Sequence, residues 1–547
     1  MSVSRMVHRG RADTFQEARR KVAPWLAPFL TMFAWFWVTA HWFPLREGRD
    51  MNTYFLCFRD LLQIEPEFPL LMLFRTPLTP LFYGTCFEYL EETGIELVLA
   101  LLYAVSMTSV FAVVRKFSVV CAWLFNALAG VNLWLFRWFN AVGSETLQIV
   151  LLCLWFAFSF FAMRSLRVRT WVGVGAIVFL LVVNRPGNQT FVLCFLLPFC
   201  IAGAPVARRF LLSAAFLITC GVAYLAFSSL NYLRYGEFCL AALGEAHLPF
   251  YRLFVQEHVI SPDNGPASLS LAGFVAEKLL TDPVYQRHEI TQELFFRCST
   301  QRMFNSLIYT FQKEGSAGDL SILRKAGLES IWSDPPGSLL RYLEHLLIVF
   351  DHHDRRPFNI SNLRDLSRAF VRERDKHYAR LAARGIDQPT EGDLLPARPL
   401  FAAREQRSKE NWFGLQRAVK EWKLPPSPPL DPTADALYDL SRKLIPNYYW
   451  FLGAALALFF ASWAGPIDLR IPLLTAIALT SLLVTLFGSV QWEFRYPFDP
   501  IFTAFTLYAG WSLKGILRAR RMAWLFQRCS TAWRKFSAFL GRREVVR

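Results

Sequence analysis

The chain has 547 residues, of which 54% are hydrophobic, 16% aromatic and only 19% charged. Ordinary globular domains carry about 25% charged residues, so this composition excludes a disordered chain, a coiled coil and a disulfide-rich secreted scaffold. The apolar residues cluster in nearly uncharged runs, most of them close to the length that crosses about 30 Å of hydrocarbon as a helix. We therefore predict an all-α polytopic membrane protein.

Hydropathy predicts about ten transmembrane helices. The first 24 residues are basic and lack the short apolar core and cleavage site of a signal peptide, so the first span is expected to be a retained anchor with its N-terminus in the cytoplasm. The fifth and sixth spans are short and flank an Asn-Arg-Pro turn, so they are expected to form one hairpin. The predicted spans are Trp25–Phe43, Ile95–Val114, Phe117–Phe136, Glu145–Met163, Trp171–Val183, Thr190–Gly203, Phe210–Phe227, Tyr448–Trp463, Ile471–Val490 and Phe498–Trp511.

The net charge of +16 follows this topology. When the sides alternate from a cytoplasmic N-terminus, the inner segments hold a large excess of Lys and Arg, the short outer loops hold more acids than bases, and the long segment between the two groups of spans is nearly neutral. The basic excess is therefore an orientation signal. Because the sizeable extramembrane segment has no basic surplus, we expect no nucleic-acid partner.

Five regions follow from this reading. The long loop is predicted to be a mostly helical extracytoplasmic domain, and its apolar run from Leu339 to Phe350 has helical spacing, which fits an amphipathic helix on the membrane or against the core. The basic tail is expected to bind membrane lipid as an interfacial helix. The regions are 1–24, cytoplasmic; 25–228, transmembrane with a first outer loop at 44–94; 229–447, extracytoplasmic; 448–513, transmembrane; and 514–547, the cytoplasmic tail.

Every basic residue in the short outer loops is an arginine. Arginine binds phosphate oxygens through two parallel N–H groups and stays charged near lipid, so a cluster on one side fits a lipid-linked phosphate ligand. The alternative is that single arginines reach out to lipid headgroups. These arginines are Arg46, Arg49, Arg59, Arg75, Arg137, Arg185 and Arg495.

Five polar motifs fall on this outer side, and together they resemble the GT-C superfamily of integral-membrane glycosyltransferases, which take a sugar from a polyprenyl-phosphate carrier. The likeness covers residues 20–235 and 445–515 and rests on the order of the motifs and their common side. The motifs are Asp50 with Tyr54, Arg75 with Pro77 and Pro80, Ser144 with Glu145, Asn184-Arg185-Pro186, and Arg495 with Tyr496.

The resemblance implies a bundle of transmembrane helices with amphipathic helices in the first outer loop and a reaction that inverts the anomeric centre. Attack by an acceptor hydroxyl needs a base, and Asp50 has the right loop and chemical type. Asp60 and Glu145 are reserve candidates, and Glu145 is also expected to orient a sugar hydroxyl or an arginine. Many superfamily members carry two adjacent acids in this loop, whereas Asp50 stands between Arg49 and Met51. We therefore predict no metal or other cofactor.

The leaving phosphate needs cationic partners. Arg185 and Arg495 are the first candidates and Arg75 the third, while Tyr54 and Tyr496 are expected to stack on or hydrogen-bond to the donor. The expected acceptor is a lipid or a surface or cell-wall glycan, and the expected location is the outer face of the cytoplasmic membrane.

Two other functions stay open. A glycan ligase or polymerase would use a polyprenyl-diphosphate-linked oligosaccharide and the same outer arginines. A transporter or flippase would need ionisable residues within its spans and paired broken helices. The predicted spans carry almost no charge at their centres and show no repeat, which favours an enzyme.

Overall fold

The computed structural model is helical throughout the part of the chain that it describes, with no β-strand there, and this confirms the all-α prediction. The described residues are 25–40, 76–235, 238–241, 247–313, 320–351, 368–386, 448–464, 467–489 and 494–518, with the single positions 43, 45, 51, 54, 57, 58, 61, 436, 440, 441 and 530.

The first block consists of apolar helices that pack around one large core of buried aromatic and aliphatic side chains. A 3₁₀ segment, Pro186–Cys200, interrupts the α-helices after the predicted Asn-Arg-Pro turn. The helices are α1 (Trp25–Ala40), α2 (Leu78–Tyr89), α3 (Glu92–Arg115), α4 (Val119–Val131), α5 (Leu133–Phe139), α6 (Ser144–Ala162), α7 (Val168–Asn184) and α8 (Val206–Tyr235).

The long loop contributes a second core, separate from the first and rich in Phe, which lies between residues 250 and 326. Two π-helical segments, His247–Gln256 and Val275–Leu279, run beside the α-helices there. The helices are α9 (Pro266–Phe274), α10 (Pro283–Arg287), α11 (Gln292–Arg297), α12 (Gln301–Lys313), α13 (Ser321–Ser333), α14 (Pro335–Asp351) and α15 (Arg368–Ala382).

Three more helices return the chain to the first core: α16 (Tyr448–Ala464), α17 (Arg470–Gly488) and α18 (Asp499–Arg518). Among the described helices, four are long and apolar enough to cross a membrane, namely α3, α6, the Val206–Leu233 part of α8, and α17. The bent pair α4 and α5 would add a fifth, and α1, α7 and the centre of α16 are shorter apolar helices. These helices fit a membrane protein, whereas a total of ten spans stays a prediction.

The predicted third span, Phe117–Phe136, is not one straight helix. Helices α4 and α5 meet at Asn132 with a bend of 63°. The Asn132 side chain accepts a hydrogen bond from the Leu135 N–H at 3.0 Å, so it caps a new helix in the middle of the apolar run. One polar cap within an apolar run hardly changes the averaged hydropathy, so the hydropathy profile does not predict the bend.

The predicted sixth span, Thr190–Gly203, lies mostly within the 3₁₀ segment Pro186–Cys200. Pro186 begins this segment, where a missing N–H has no intrahelical cost, whereas Pro198 lies inside it and lacks the N–H that would donate to the preceding turn. The segment packs beside α7, α8 and α17 and so closes a hairpin with α7.

The two ends of the bundle carry different chemistry. At one end, Arg164 and Arg470 both pair with Asp468, and Arg470 lies 4.4 Å above the Phe160 ring. Arg208 donates from Nε to the Leu166 carbonyl at 2.9 Å at this end as well. The start of α6 and the ends of α7 and α17 lie at the other end, which we call the site end.

Candidate functional site

Arg185 lies at the site end, directly after α7, and joins three segments that are far apart in the sequence. Its Nε donates to Ser144 Oγ at 2.8 Å and its Nη2 pairs with the Glu145 carboxylate at the start of α6. Its guanidinium carbon lies 5.1 Å above the ring of Phe494. The structure thus brings together the Ser-Glu motif, the Asn-Arg-Pro turn and the residue before Arg495.

A layer of amide side chains supports Arg185 from inside the bundle. Gln148 and Asn188 exchange hydrogen bonds, with Gln148 Nε2 donating to Asn188 Oδ1 at 2.8 Å and Asn188 Nδ2 donating to Gln148 Oε1 at 2.7 Å. Asn184 Nδ2 donates to the same Gln148 oxygen and to the Ser144 carbonyl, both at 3.1 Å. Buried and mutually satisfied amides of this kind hold one geometry.

Residues 76–83 of the predicted first outer loop are attached to the same layer. Thr76 Oγ1 donates to the Asn184 carbonyl at 2.8 Å, and Thr79 Oγ1 donates to Asn184 Oδ1 at 2.8 Å. Tyr83 is fully buried one turn further along α2 and shares a 2.7 Å hydrogen bond with Thr146. Thr76, Thr79 and Tyr83 therefore attach this part of the chain to α6 and to the end of α7.

Gly143 has no side chain, and this leaves space for the Glu145 carboxylate. A Cβ added at Gly143 would lie 2.4 Å from Glu145 Oε2. Any larger residue at this position would displace the carboxylate that pairs with Arg185, so the glycine serves a close approach.

Arg495 occupies a different environment from Arg185. Its side chain is 1% exposed and its Nη2 lies 3.5 Å from Asp499 Oδ1 at the first position of α18. Its Nη1 donates to the Val349 carbonyl at 3.4 Å, and its guanidinium carbon lies 5.1 Å above the Phe350 ring. Asn132 Nδ2 donates to the other Asp499 oxygen at 3.3 Å. Arg495 thus links α18 to α14 and to the bend after α4.

Both predicted donor-contacting tyrosines are buried. The Tyr496 ring stacks on Trp134 with centroids 5.5 Å apart and on Trp138 with centroids 6.3 Å apart. Tyr54 is 5% exposed. In this arrangement, the stacking partners of Tyr496 are aromatic side chains of α5.

The structure places some of the predicted site residues and not others. Glu145 and Arg185 lie in contact, and Tyr496 and Arg495 follow Phe494 into the core. Asp50, Asp60 and Arg75 lie outside the described residues, so their positions stay predictions. Among the residues that are described, no group of three or more His, Cys, Asp or Glu side chains has an arrangement that could hold a metal ion.

Sequence reasoning missed the amide layer. Gln148 stands within an apolar run four positions after Ser144, and Asn188 follows the Asn-Arg-Pro turn. A polar amide in such a run was the available signal, because a buried amide needs a partner from a neighbouring helix.

A second buried charge cluster was also missed. Arg252 donates from Nε to the Phe487 carbonyl at the end of α17 at 2.9 Å and pairs with Glu257, which Arg341 Nε also contacts at 3.0 Å. His345 is fully buried, with Nε2 4.0 Å from Glu257 Oε1, and neither ring nitrogen has a hydrogen-bond partner in the described structure. Burial, with the Arg252 and Arg341 guanidinium groups, lowers the pKa of His345 to about 4.

The groups around Arg185 could bind an anion. A guanidinium, a serine hydroxyl and the N-terminus of α6 lie together, and all three favour a bound anion. The Glu145 carboxylate already pairs with Arg185, so an anionic ligand would have to displace it from the guanidinium. Comparisons of the chain with protein-family models, with curated proteins and with solved structures find no match.

Proposed function

We propose that this chain is an inverting membrane glycosyltransferase that moves a sugar from a polyprenyl-phosphate donor to a lipid or a surface or cell-wall glycan. The observation that carries the proposal is the meeting of Arg185, Ser144 and Glu145 at the site end, beside Phe494. The GT-C-like order of the motifs supplies the reaction class, and the convergence of three of these segments supports it.

Arg185 is the proposed phosphate ligand. Its side chain is 15% exposed and that of Glu145 is 12% exposed, so the pair lies at the edge of the bundle rather than in its core. A phosphate oxygen would accept from the guanidinium and from the Ser144 hydroxyl, and the partial positive charge at the start of α6 would add to this attraction. Phe494 would hold the guanidinium plane in place.

The reaction needs one bond to form and one to break. The acceptor hydroxyl oxygen attacks the anomeric carbon while the bond between this carbon and the phosphate oxygen breaks, and the hydroxyl proton passes to the Asp50 carboxylate. Polyprenyl phosphate leaves with the bonding electron pair, and its added negative charge is stabilised by the arginines. Arg75 is a further candidate ligand, because Thr76 is tethered beside the amide layer.

We also propose an orientation in the membrane. The bundle end that carries Arg164, Arg208 and Arg470 would face the cytoplasm together with both termini. The site end and the large loop would face the outside of the cytoplasmic membrane. The excess of basic residues at the first end supports this orientation.

Sugar transfer in lipid nanodiscs tests the proposal. The purified full chain is given polyprenyl-phosphate sugars of several kinds and a mixture of membrane lipids and glycans as acceptors. We expect transfer that is abolished in Asp50→Asn, reduced about 100-fold in kcat/KM in Arg185→Gln, and less reduced in Arg185→Lys. Arg164→Gln, at the opposite end, is the matched control and should keep full activity.

Three results would contradict the proposal. They are full activity in Asp50→Asn, an equal loss in Arg164→Gln and Arg185→Gln, and no transfer from any polyprenyl-phosphate sugar. Transfer only from a diphosphate-linked oligosaccharide would favour a ligase or polymerase instead. Movement of an intact lipid-linked sugar across the bilayer without transfer would favour a flippase.

A further inference from the structure

Helix α14 belongs to the long loop, yet its side chains contact the apolar helix bundle. These contacts lie inside the ends of α17 and α18 rather than beyond them. The Tyr342 hydroxyl donates to the Leu483 carbonyl at 2.7 Å, and the Tyr342 ring packs against Phe487. Leu483 lies five residues before the end of α17, which is about 7.5 Å along a helix with a rise of about 1.5 Å per residue. Tyr342 therefore contacts α17 more than one turn inside its end.

A second contact lies at the other end of α14 and at a similar depth. The Phe350 ring lies 6.4 Å from that of Phe502, and Phe350 also packs under the Arg495 guanidinium. Phe502 is three residues after the start of α18, or about 4.5 Å inside that helix. Because two points eight residues apart reach similar depths, α14 lies across the ends of α17 and α18 instead of rising away from them.

One side of α14 exposes leucines. Leu339, Leu340 and Leu343 are 58%, 62% and 45% exposed. At about 100° per residue these three lie within one quarter to one third of the helix circumference. Tyr342 and His345 lie on the side toward the bundle, and charged residues such as Arg341 and Glu344 occupy the remaining side. Phe350 falls in the same sector as the leucines, but it lies at the C-terminal end of α14, where it packs on Phe502. We call the exposed side the leucine face.

The orientation of this face is fixed by polar contacts. Asp334 caps α14 by accepting from the Gly337 N–H at 3.0 Å, and it also accepts from Arg341 Nη1 at 3.2 Å. Arg341 in turn donates from Nε to the buried Glu257 at 3.0 Å. Rotation of α14 to bury its leucines would break these contacts.

We propose that α14 is an interfacial helix and that its leucine face is embedded in the lipid at the site end of the bundle. A membrane is the occupant that fits, because α14 packs beside α16, whose exposed side chains include Leu452, Leu456, Phe459 and Phe460. The contacts of α14 with α17 and α18 also fall within about 4.5 to 7.5 Å of the ends of those helices, which matches the shallow burial of interfacial helices. Trp332, 75% exposed just before α14, is an aromatic side chain of the kind that anchors proteins at this level.

The inference does not depend on the proposed enzymatic function. It assigns to the long loop a lipid contact next to the Arg185 end of the bundle, and it would hold equally for a transporter or a ligase.

Site-specific photocrosslinking tests the proposal. A benzophenone amino acid replaces Leu340 or Leu343, one at a time, in the full chain in nanodiscs that contain an alkyne-tagged phospholipid. Leu225, 54% exposed in α8, is the positive control, and Glu293, whose side chain is 72% exposed in α11, is the negative control. We expect lipid adducts at both α14 positions at a level close to that at Leu225 and at least about fivefold above that at Glu293.

Adducts at the level of Glu293 would overturn the proposal, and so would crosslinks to another part of the chain or to a second copy in place of lipid. Cysteine labelling gives an independent readout. Leu340→Cys and Leu343→Cys should react with a water-soluble maleimide at least about tenfold more slowly than Glu293→Cys, with the unmodified chain as background, because lipid excludes the reagent. Fast labelling at both positions would contradict a lipid-embedded face.

Discussion

The Arg185 site and the two enclosed charge clusters, around Arg495 and around Arg252, are built from the same kinds of side chain but differ in their exposure to solvent. Arg185, Arg495 and Arg252 each pair with a carboxylate and each lie 5.0 to 5.1 Å from a phenylalanine ring. The side chain of Arg185 is 15% exposed, whereas those of Arg495 and Arg252 are 1% exposed. All three arginines join structural elements, and they differ in exposure rather than in residue type or partner, so the proposed phosphate role requires the more exposed Arg185.

The enclosed clusters occupy joints between elements. Arg495 connects α18 to α14, and Arg252 connects the π-helical segment His247–Gln256 to the end of α17. A buried ion pair adds little net stability over an apolar pair, but the loss of one partner leaves an uncompensated charge. The substrate-binding role of Arg495 stays a prediction, and its enclosure makes a structural role testable.

The largest expected effect is at Arg495. Arg495→Met should lower the free energy of unfolding by about 3 to 5 kcal/mol, because the Asp499 carboxylate would remain buried without its cation. The measurement is thermal unfolding in detergent or nanodiscs. Arg495→Met combined with Asp499→Leu should recover most of the loss.

The matched control is Arg185→Met, which should cost less than Arg495→Met because the Glu145 side chain is 12% exposed whereas that of Asp499 is fully enclosed. Equal losses at Arg185 and Arg495 would break the comparison, since they would mean that the two sites are equally closed.

The next largest effect is a pH dependence of the free energy of unfolding, caused by His345 in the Arg252 cluster. His345 is neutral in the fold with a pKa of about 4, whereas the unfolded side chain titrates near 6.5. The unfolded chain therefore binds the proton first, so stability is full above pH 6.5 and falls as the pH drops toward 4, by about 3 kcal/mol at pH 4. Burial is the main cause of the lowered pKa of His345, and the Arg252 and Arg341 guanidinium groups add to it.

His345→Gln isolates this contribution from the other acidic groups. Unfolding midpoints measured between pH 7 and pH 4 should fall less steeply in the variant than in the unaltered chain. Parallel pH profiles of the two proteins would show that His345 does not titrate as the geometry requires.

The smallest expected effect is in the amide layer beneath Arg185. Thr79→Val removes the hydrogen bond to Asn184 Oδ1 and should cost about 1 kcal/mol of folding free energy. Thr219→Val is the matched control, because its hydroxyl donates only to the carbonyl of Ala215 within α8. The expected difference is a larger decrease in unfolding midpoint for Thr79→Val, and an equal decrease would argue against an organised layer.

The sequence predicts the helical class and the neighbourhood of Ser144 with Arg185, because both rest on short-range rules. Consecutive spans alternate in direction, so the start of α6 and the end of α7 must lie at one end of the bundle. Arg208 and Arg470 are assigned to the opposite end by the same alternation, and the structure has them there.

The remaining features depend on contacts between distant residues. The bend at Asn132 depends on one side-chain cap, and the enclosure of Arg495 depends on Phe350 from a helix that lies far from it in the chain. The partners of Gln148 come from the turn forty residues later. Hydropathy and motif order carry no information on such pairings, which are set by how the helices pack.

The most direct test of the central claim is an experimental structure of the full chain with a polyprenyl phosphate bound. The account predicts the phosphate within hydrogen-bond distance of the Arg185 guanidinium, with Asp50 facing the position of the anomeric carbon. A phosphate bound at the Arg164 and Arg470 end, or an Asp50 carboxylate beyond the reach of a side chain from the Arg185 pocket, would contradict it.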